Sequence, residues 1–304
     1  MFDGYGVLAM TGDHLDISYR DADPWPDMTP QGSIKSFTFA LGDEERGPVV
    51  QMGLITRLES EPLDWAHVVD PPHYHGTDQF RVVSAGRWSL ADKTLEAGSF
   101  AFQESGLRYR EHPEGDDPAW IFLVLGDRRG TKPTILRDVD REQLINTGSA
   151  NDRPLDWDEI YPHPAGPKGI AAINTSLGKC QRGYLVARFD QLPVAGRVAS
   201  ARGTFGDAET GPVTHMIRVG GVEQLLPATV CDTERLVLIT SGSCHIGDRS
   251  YQAGDIRIQR GGTVMPEWQS GEDGVAATLL VADRRAPLSA FEPDHSLPAW
   301  AAAK

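Results

Sequence analysis

Three polar side chains at even spacing offer the first chemistry: His73, His75 and Gln79, in the run Pro71-Pro72-His73-Tyr74-His75 and the residues just after it. Side chains alternate on an extended strand, so these three share one face while Tyr74 and Phe80 share the other. Two imidazoles on one strand face, entered through a rigid Pro-Pro pair, are placed to hold a divalent ion. Imidazole suits iron, nickel, copper, zinc and manganese. Downstream, Tyr109 could ligate as a phenolate, because a nearby dication lowers the pKa of a coordinating group. It could equally act as an acid, a base or a hydrogen-bonding group for substrate. His112, three residues on, falls on the opposite strand face unless the turn Glu111-His112-Pro113-Glu114-Gly115 rotates it inward.

The elements that must position these residues read as strands. Short runs rich in Val, Ile, Leu, Phe and Thr, punctuated by Gly, Pro, Asp and Asn, fill 32–126 and again 181–283, which predicts an all-β chain. One helix of about two turns is expected over Val139 to Ile145, with Asp138 as its cap. The three cysteines, Cys180, Cys231 and Cys244, lie far apart without CxxC spacing and are read as buried free thiols.

The chain also repeats itself. Residues 71–106 align without a gap on 227–262 at a constant offset of 156, with Pro71/Pro227, Thr77/Thr233, Gly86/Gly242, Asp92/Asp248, Ala97/Ala253, Gly98/Gly254, Gln103/Gln259 and Gly106/Gly262 identical. Upstream, the block 42–49 (GDEERGPV) matches 206–213 (GDAETGPV) at an offset of 164. The first copy therefore carries about eight extra residues near Glu59 to Asp70. Two copies set the boundaries: 1–126 for a first domain carrying the site, 127–180 for a Pro-, Gly- and Asp-rich linker expected to pack as an irregular crossover, and 181–304 for a second domain with a tail.

At this point the segment 73–109 resembles the cupin superfamily. His73, His75, Gln79 and Gly86 follow its first motif, with Gln79 in the usual acidic slot. Gly98, Glu104, Gly106 and Tyr109 follow its second, with Glu104 in the Pro slot and Tyr109 in the His slot. The resemblance implies two tandem double-stranded β-helix (jelly-roll) barrels, with one divalent transition metal at His73, His75 and Gln79, iron first and manganese, nickel, zinc or copper as alternatives. It assigns Tyr109 and His112 to catalysis. A carbonyl oxygen at Gln79 in place of a carboxylate leaves the ion more positive and less tightly held. The second copy has Thr229, Cys231, Arg235 and Met265 at the equivalent positions, so no metal set is expected there. Arg235 is expected to be a buried stem paired with an acid, with anion binding as the alternative. His67, beside Trp65 in the extra segment, reads as a surface residue or, in a lid over the barrel mouth, a proton-transfer group.

Composition narrows the partners. The 304 residues carry 29 Lys and Arg against 43 Asp and Glu, a formal charge of -14, which argues against nucleic acid or an anionic membrane surface and favours a small molecule. No stretch of eighteen apolar residues and no secretory pattern is present, so a cytoplasmic protein is expected. Two fused barrels permit a monomer, and edge strands permit a homodimer. Resemblance to two-barrel cupins implies oxygen-dependent carbon–carbon cleavage at a non-haem metal. Redox-neutral lyase or isomerase chemistry, or a non-catalytic small-molecule binder, are the alternatives.

Overall fold

Alternation writes two buried faces into each central strand. Along Gln79–Ala85, Phe80 and Val82 point one way and Gln79, Arg81 and Val83 the other, and Ser99–Gln103 repeats the pattern with Phe100 and Phe102 against Ala101 and Gln103. The computed structural model describes residues 10–23, 25–26, 34–56, 73–91, 93–107, 109, 111–135, 173–180 and 183–302. The helix expected over Val139 to Ile145, the segment with His67 and most of the 127–180 connection lie outside the described residues.

The sequence-based all-β expectation holds. A six-stranded antiparallel sheet runs in the order Tyr184–Arg188, Ser99–Gln103, Gln79–Ala85, Ala119–Leu125, Val49–Ile55, Ile34–Ala40. Its counterpart in the second copy is built around Asp255–Gln259, Arg235–Ile246, Trp268–Val281 and Val213–Val219. Short strands close the first barrel opposite its sheet: His73–Tyr74 paired with Thr134–Ile135, and Arg87–Leu90 paired with Lys93–Glu96 and Glu111–Pro113. Inside this barrel sit Val83, Leu90, Leu95, Tyr109, Ile121 and their neighbours. Phe80, Phe100, Phe102 and Phe122 instead face Leu236, Leu238, Ile256 and Ile258 of the second copy, so one apolar layer joins the two large sheets.

Each sheet borrows a strand. His14–Ser18, from the first half of the sequence, pairs with Asp255–Gln259, and Tyr184–Arg188, from the second half, pairs with Ser99–Gln103. The exchange is pseudo-symmetric: Tyr19 donates its backbone N–H to Gly254 O and Phe189 to Gly98 O, both at 3.0 Å.

The repeated block 42–49/206–213 turns out to be a clasp between the barrels. Arg128 donates to the carbonyls of Leu41, Glu44 and Gly47, and Arg284, its counterpart, to those of Phe205, Ala208 and Gly211. Across the interface, Arg129 pairs with Asp207 at 2.9 Å and Arg285 with Asp43 at 3.4 Å. The Gly206 N–H donates to Asp78 and the Gly42 N–H to Glu234, at 3.1 and 3.0 Å. The glycines shared by both copies are also explained: Gly86, Gly98 and Gly106, like Gly242, Gly254 and Gly262, have φ between 70° and 88°, where a side chain is strained.

Candidate functional site

The Gly106 N–H donates to His75 O, and the backbones of His73 and Tyr109 exchange two hydrogen bonds of 3.0 and 3.1 Å. This bridge brings the second motif against the first. The rings of His73 and His75 lie 5.2 Å apart between centroids, and Tyr109 stands 4.5 Å from His73 and 6.4 Å from His75. All three residues are buried.

His75 is held in one tautomer. Its Nδ1 lies 2.7 Å from the Thr131 carbonyl, which can only accept, so Nδ1 carries the proton and Nε2 keeps the lone pair. Burial holds the imidazole pKa well below its usual value; His73 and the Arg81 charge add to this, and the Thr131 bond opposes it. The ring is neutral at pH 7. A backbone carbonyl on the far nitrogen is the arrangement that orients metal-binding histidines.

The surprise of the site is Arg81, two residues after Gln79 on the same face and 1% exposed. Its guanidinium bonds Gln103 Oε1, donates to Gln79 Oε1 and to the Tyr109 hydroxyl at 2.8 Å each, and meets Glu111 at 3.0 Å. It also lies 4.8 Å from the centre of the Tyr109 ring. Burial works against the charge, but Glu111 and Tyr109 outweigh it and hold the guanidinium pKa above its usual value. Tyr109 in turn donates to Gln79 Oε1 at 3.2 Å, and Trp88 Nε1 donates to Glu111 at 3.1 Å.

This decides how far the residues fit a metal. His73 and His75 present two buried imidazoles, one with its lone pair fixed, and suit an ion. Gln79 does not, because its oxygen already accepts from Arg81 and Tyr109, and the Tyr109 oxygen accepts from Arg81. Among the described residues no three His, Cys, Asp or Glu side chains come together in metal-binding geometry. The expected set His73, His75 and Gln79 is thereby reduced to two imidazoles beside an arginine-centred network.

His112 stays outside the cluster. The strand Glu111–Pro113 pairs with Arg87–Leu90, and Glu111 is the residue that turns to Arg81, which leaves His112 on the other face, with a buried Nδ1 that has no hydrogen-bond partner among the described residues. Sequence reasoning missed Arg81, Glu111, Gln103 and Thr131. Two signals were present: Arg81 shares the alternation of Gln79, and Gln103 is identical to Gln259, which also accepts from a buried arginine, Arg257, at 3.0 and 3.1 Å.

The second barrel confirms the equivalence of the positions. Thr229 and Met265 exchange backbone hydrogen bonds as His73 and Tyr109 do. Arg235 is fully buried, but its expected acid partner is missing: among the described residues it donates to Thr229 O, Thr229 Oγ1 and Thr263 O at 3.0, 3.0 and 2.6 Å, and to no carboxylate. Burial lowers its pKa to about 10, with Cys231 opposing and Arg257 adding to the shift. Two carbonyls and a hydroxyl accept from this guanidinium without neutralising it. Of the cysteines, Cys231 and Cys244 are buried and Cys180 is half-buried; all three are free.

No protein-family model and no curated protein matches the sequence. Solved structures do. A chain from Nostoc punctiforme PCC 73102, provisionally named a dioxygenase, superposes with a TM-score of 0.53 at 10% identity, covering 94% of this chain and 89% of that one. A variant of oxalate decarboxylase from Bacillus subtilis gives 0.47 at 12% identity, covering 93% and 80%. A further oxalate decarboxylase structure from that organism, described for its Mn(II) centres, gives 0.46 at 12%, again covering 93% and 80%. At such identities the likeness is one of fold. With two antiparallel barrels related by an internal repeat and joined through their large sheets, the chain has the two-barrel cupin fold.

Proposed function

We propose that this chain is a metal-dependent cupin enzyme acting on a small organic substrate inside its N-terminal barrel, with one divalent transition metal, iron first, at His73 and His75. The observation that carries the reading is the His75 tautomer: a neutral ring whose Nε2 lone pair is left for a ligand beside a second imidazole. An ion held there would supply Lewis-acid polarisation or, if redox-active, a site for dioxygen chemistry.

The remaining roles belong to the protein. Arg81, balanced by Glu111, fixes Gln79 and Tyr109, so the Tyr109 hydroxyl holds its proton toward Gln79 while accepting from Arg81. Val83, Leu95 and Ile121 line the interior and keep water from the polar cluster. The reading takes dioxygenase-type carbon–carbon cleavage as the reaction, with redox-neutral lyase or isomerase chemistry as its alternative and a non-catalytic binder as the third. It takes the protein as cytoplasmic, free of nucleic-acid and membrane partners, and able to form a homodimer.

Oxygen uptake by metal-replete protein with aromatic and 1,3-diketone substrates tests it. Consumption that disappears in His75→Ala supports the dioxygenase. Product formed without oxygen uptake selects the lyase or isomerase. Substrate bound with no turnover under either condition overturns the enzyme reading.

A further inference from the structure

Gln79 and Gln103 are direct partners across two neighbouring strands, and both side chains face the barrel interior at 1% exposure. A guanidinium has only donors. Both carboxamides must therefore turn their oxygens toward Arg81, as they do, and their NH2 groups away from it. Among the described residues, neither Gln79 Nε2 nor Gln103 Nε2 has a hydrogen-bond partner. Buried donors are almost always satisfied, so two such NH2 groups on paired residues mark a place for acceptors that the described residues do not supply.

The second barrel is the internal control. Gln259 stands where Gln103 does and also accepts from a buried arginine, but its Nε2 is satisfied by Asp13 O, Thr263 Oγ1 and Val264 O at 3.1, 2.7 and 3.1 Å. The donor is kept in both copies; among the described residues, acceptors for it are found in the second copy and not in the first. Moreover, the charge behind the two amides strengthens their N–H groups, since hydrogen bonds polarise one another in a low dielectric.

We propose that Gln79 and Gln103, aligned by Arg81, form a carboxamide clip that binds the carboxylate of a small organic acid inside the N-terminal barrel. A carboxylate offers two oxygens and about four lone-pair sites to the four N–H donors, which a single neutral carbonyl does not. The clip rests on the reading that this barrel takes a small organic ligand, and not on the metal or on turnover.

The test uses the full chain stripped of metal by chelation, so that failure of the metal reading and failure of the clip are separable. Acetate, malonate and benzoate are titrated calorimetrically beside their methyl esters. At least one acid is expected to bind tenfold or more tightly than its ester. Gln103→Glu keeps an oxygen for Arg81 but replaces the NH2 with a repelling oxygen, and is expected to weaken that binding at least tenfold; Gln259→Glu is the matched change in the other barrel. Because Gln103→Glu could disturb folding, the side-chain amide NMR signals of Gln79 and Gln103 are followed in the wild-type chain and are expected to shift on adding the acid. Equal binding of acid and ester, no binding of any acid, undiminished binding by a folded Gln103→Glu, or amide signals that stay in place would each overturn the clip.

Discussion

At the scale of single residues the site turns on Arg81. A cation taken fully out of water is tolerated only where partners surround it, and Arg81 has Glu111 and three neutral acceptors. Breaking a buried pair by removing one member leaves the other uncompensated, at a cost of about 3 kcal/mol. Arg81→Met is therefore predicted to lower the unfolding free energy by roughly that amount, and Arg81→Met with Glu111→Gln to recover part of it; a cycle showing no coupling between the two would contradict the network. Tyr109→Phe removes one acceptor from Arg81 and one donor from Gln79, and is expected to cost about 1–2 kcal/mol on denaturant unfolding. The histidines and Tyr109 were legible in the sequence because their spacing is local. Arg81 was not, since Arg in a strand reads as solvated until its partners, 22 and 30 residues further along in the case of Gln103 and Glu111, are brought to it by strand pairing.

Among the elements, alternation did most of the positioning, and it was readable: Phe80 and Val82 face the layer between the barrels, Gln79 and Arg81 the interior. The same rule set His112 apart from Tyr109. The borrowed strands were not readable, because His14–Ser18 and Tyr184–Arg188 complete sheets whose other strands lie in the opposite half of the chain. In the second barrel, His215 on Val213–Val219 is buried, and burial with the Arg202 charge lowers its pKa from 6.5 to about 4, the Trp300 carbonyl opposing. The folded chain thus takes up this proton less readily than the unfolded one. Its contribution is fully present above pH 6.5 and lost as pH falls toward 4, by roughly 3 kcal/mol from this group. Denaturant unfolding at pH 7.5 and 4.5 should show that loss in the wild type and a smaller one in His215→Leu; equal losses would contradict it.

The whole molecule is a fused pseudo-dimer whose duplication was visible in the sequence, although the role of the block 42–49/206–213 became clear only when it met the other barrel. Gly206 has φ 72°, and a Cβ there would fall 2.2 Å from Gly126 O in the opposing barrel. Gly206→Ala is accordingly predicted to destabilise the chain by more than about 3 kcal/mol, with both barrels losing structure together in a thermal melt followed by near-ultraviolet circular dichroism. Two separate transitions would contradict a shared core. Duplication that leaves Thr229 and Cys231 in the places of His73 and His75 leads to the central proposal, one ion per chain in the first barrel. Elemental analysis of protein purified from metal-replete culture measures it directly: one equivalent of a divalent transition metal per chain, lost in His73→Ala/His75→Ala and retained in Thr229→Ala, is the predicted result. Two equivalents, none, or one that survives loss of both histidines would contradict the account.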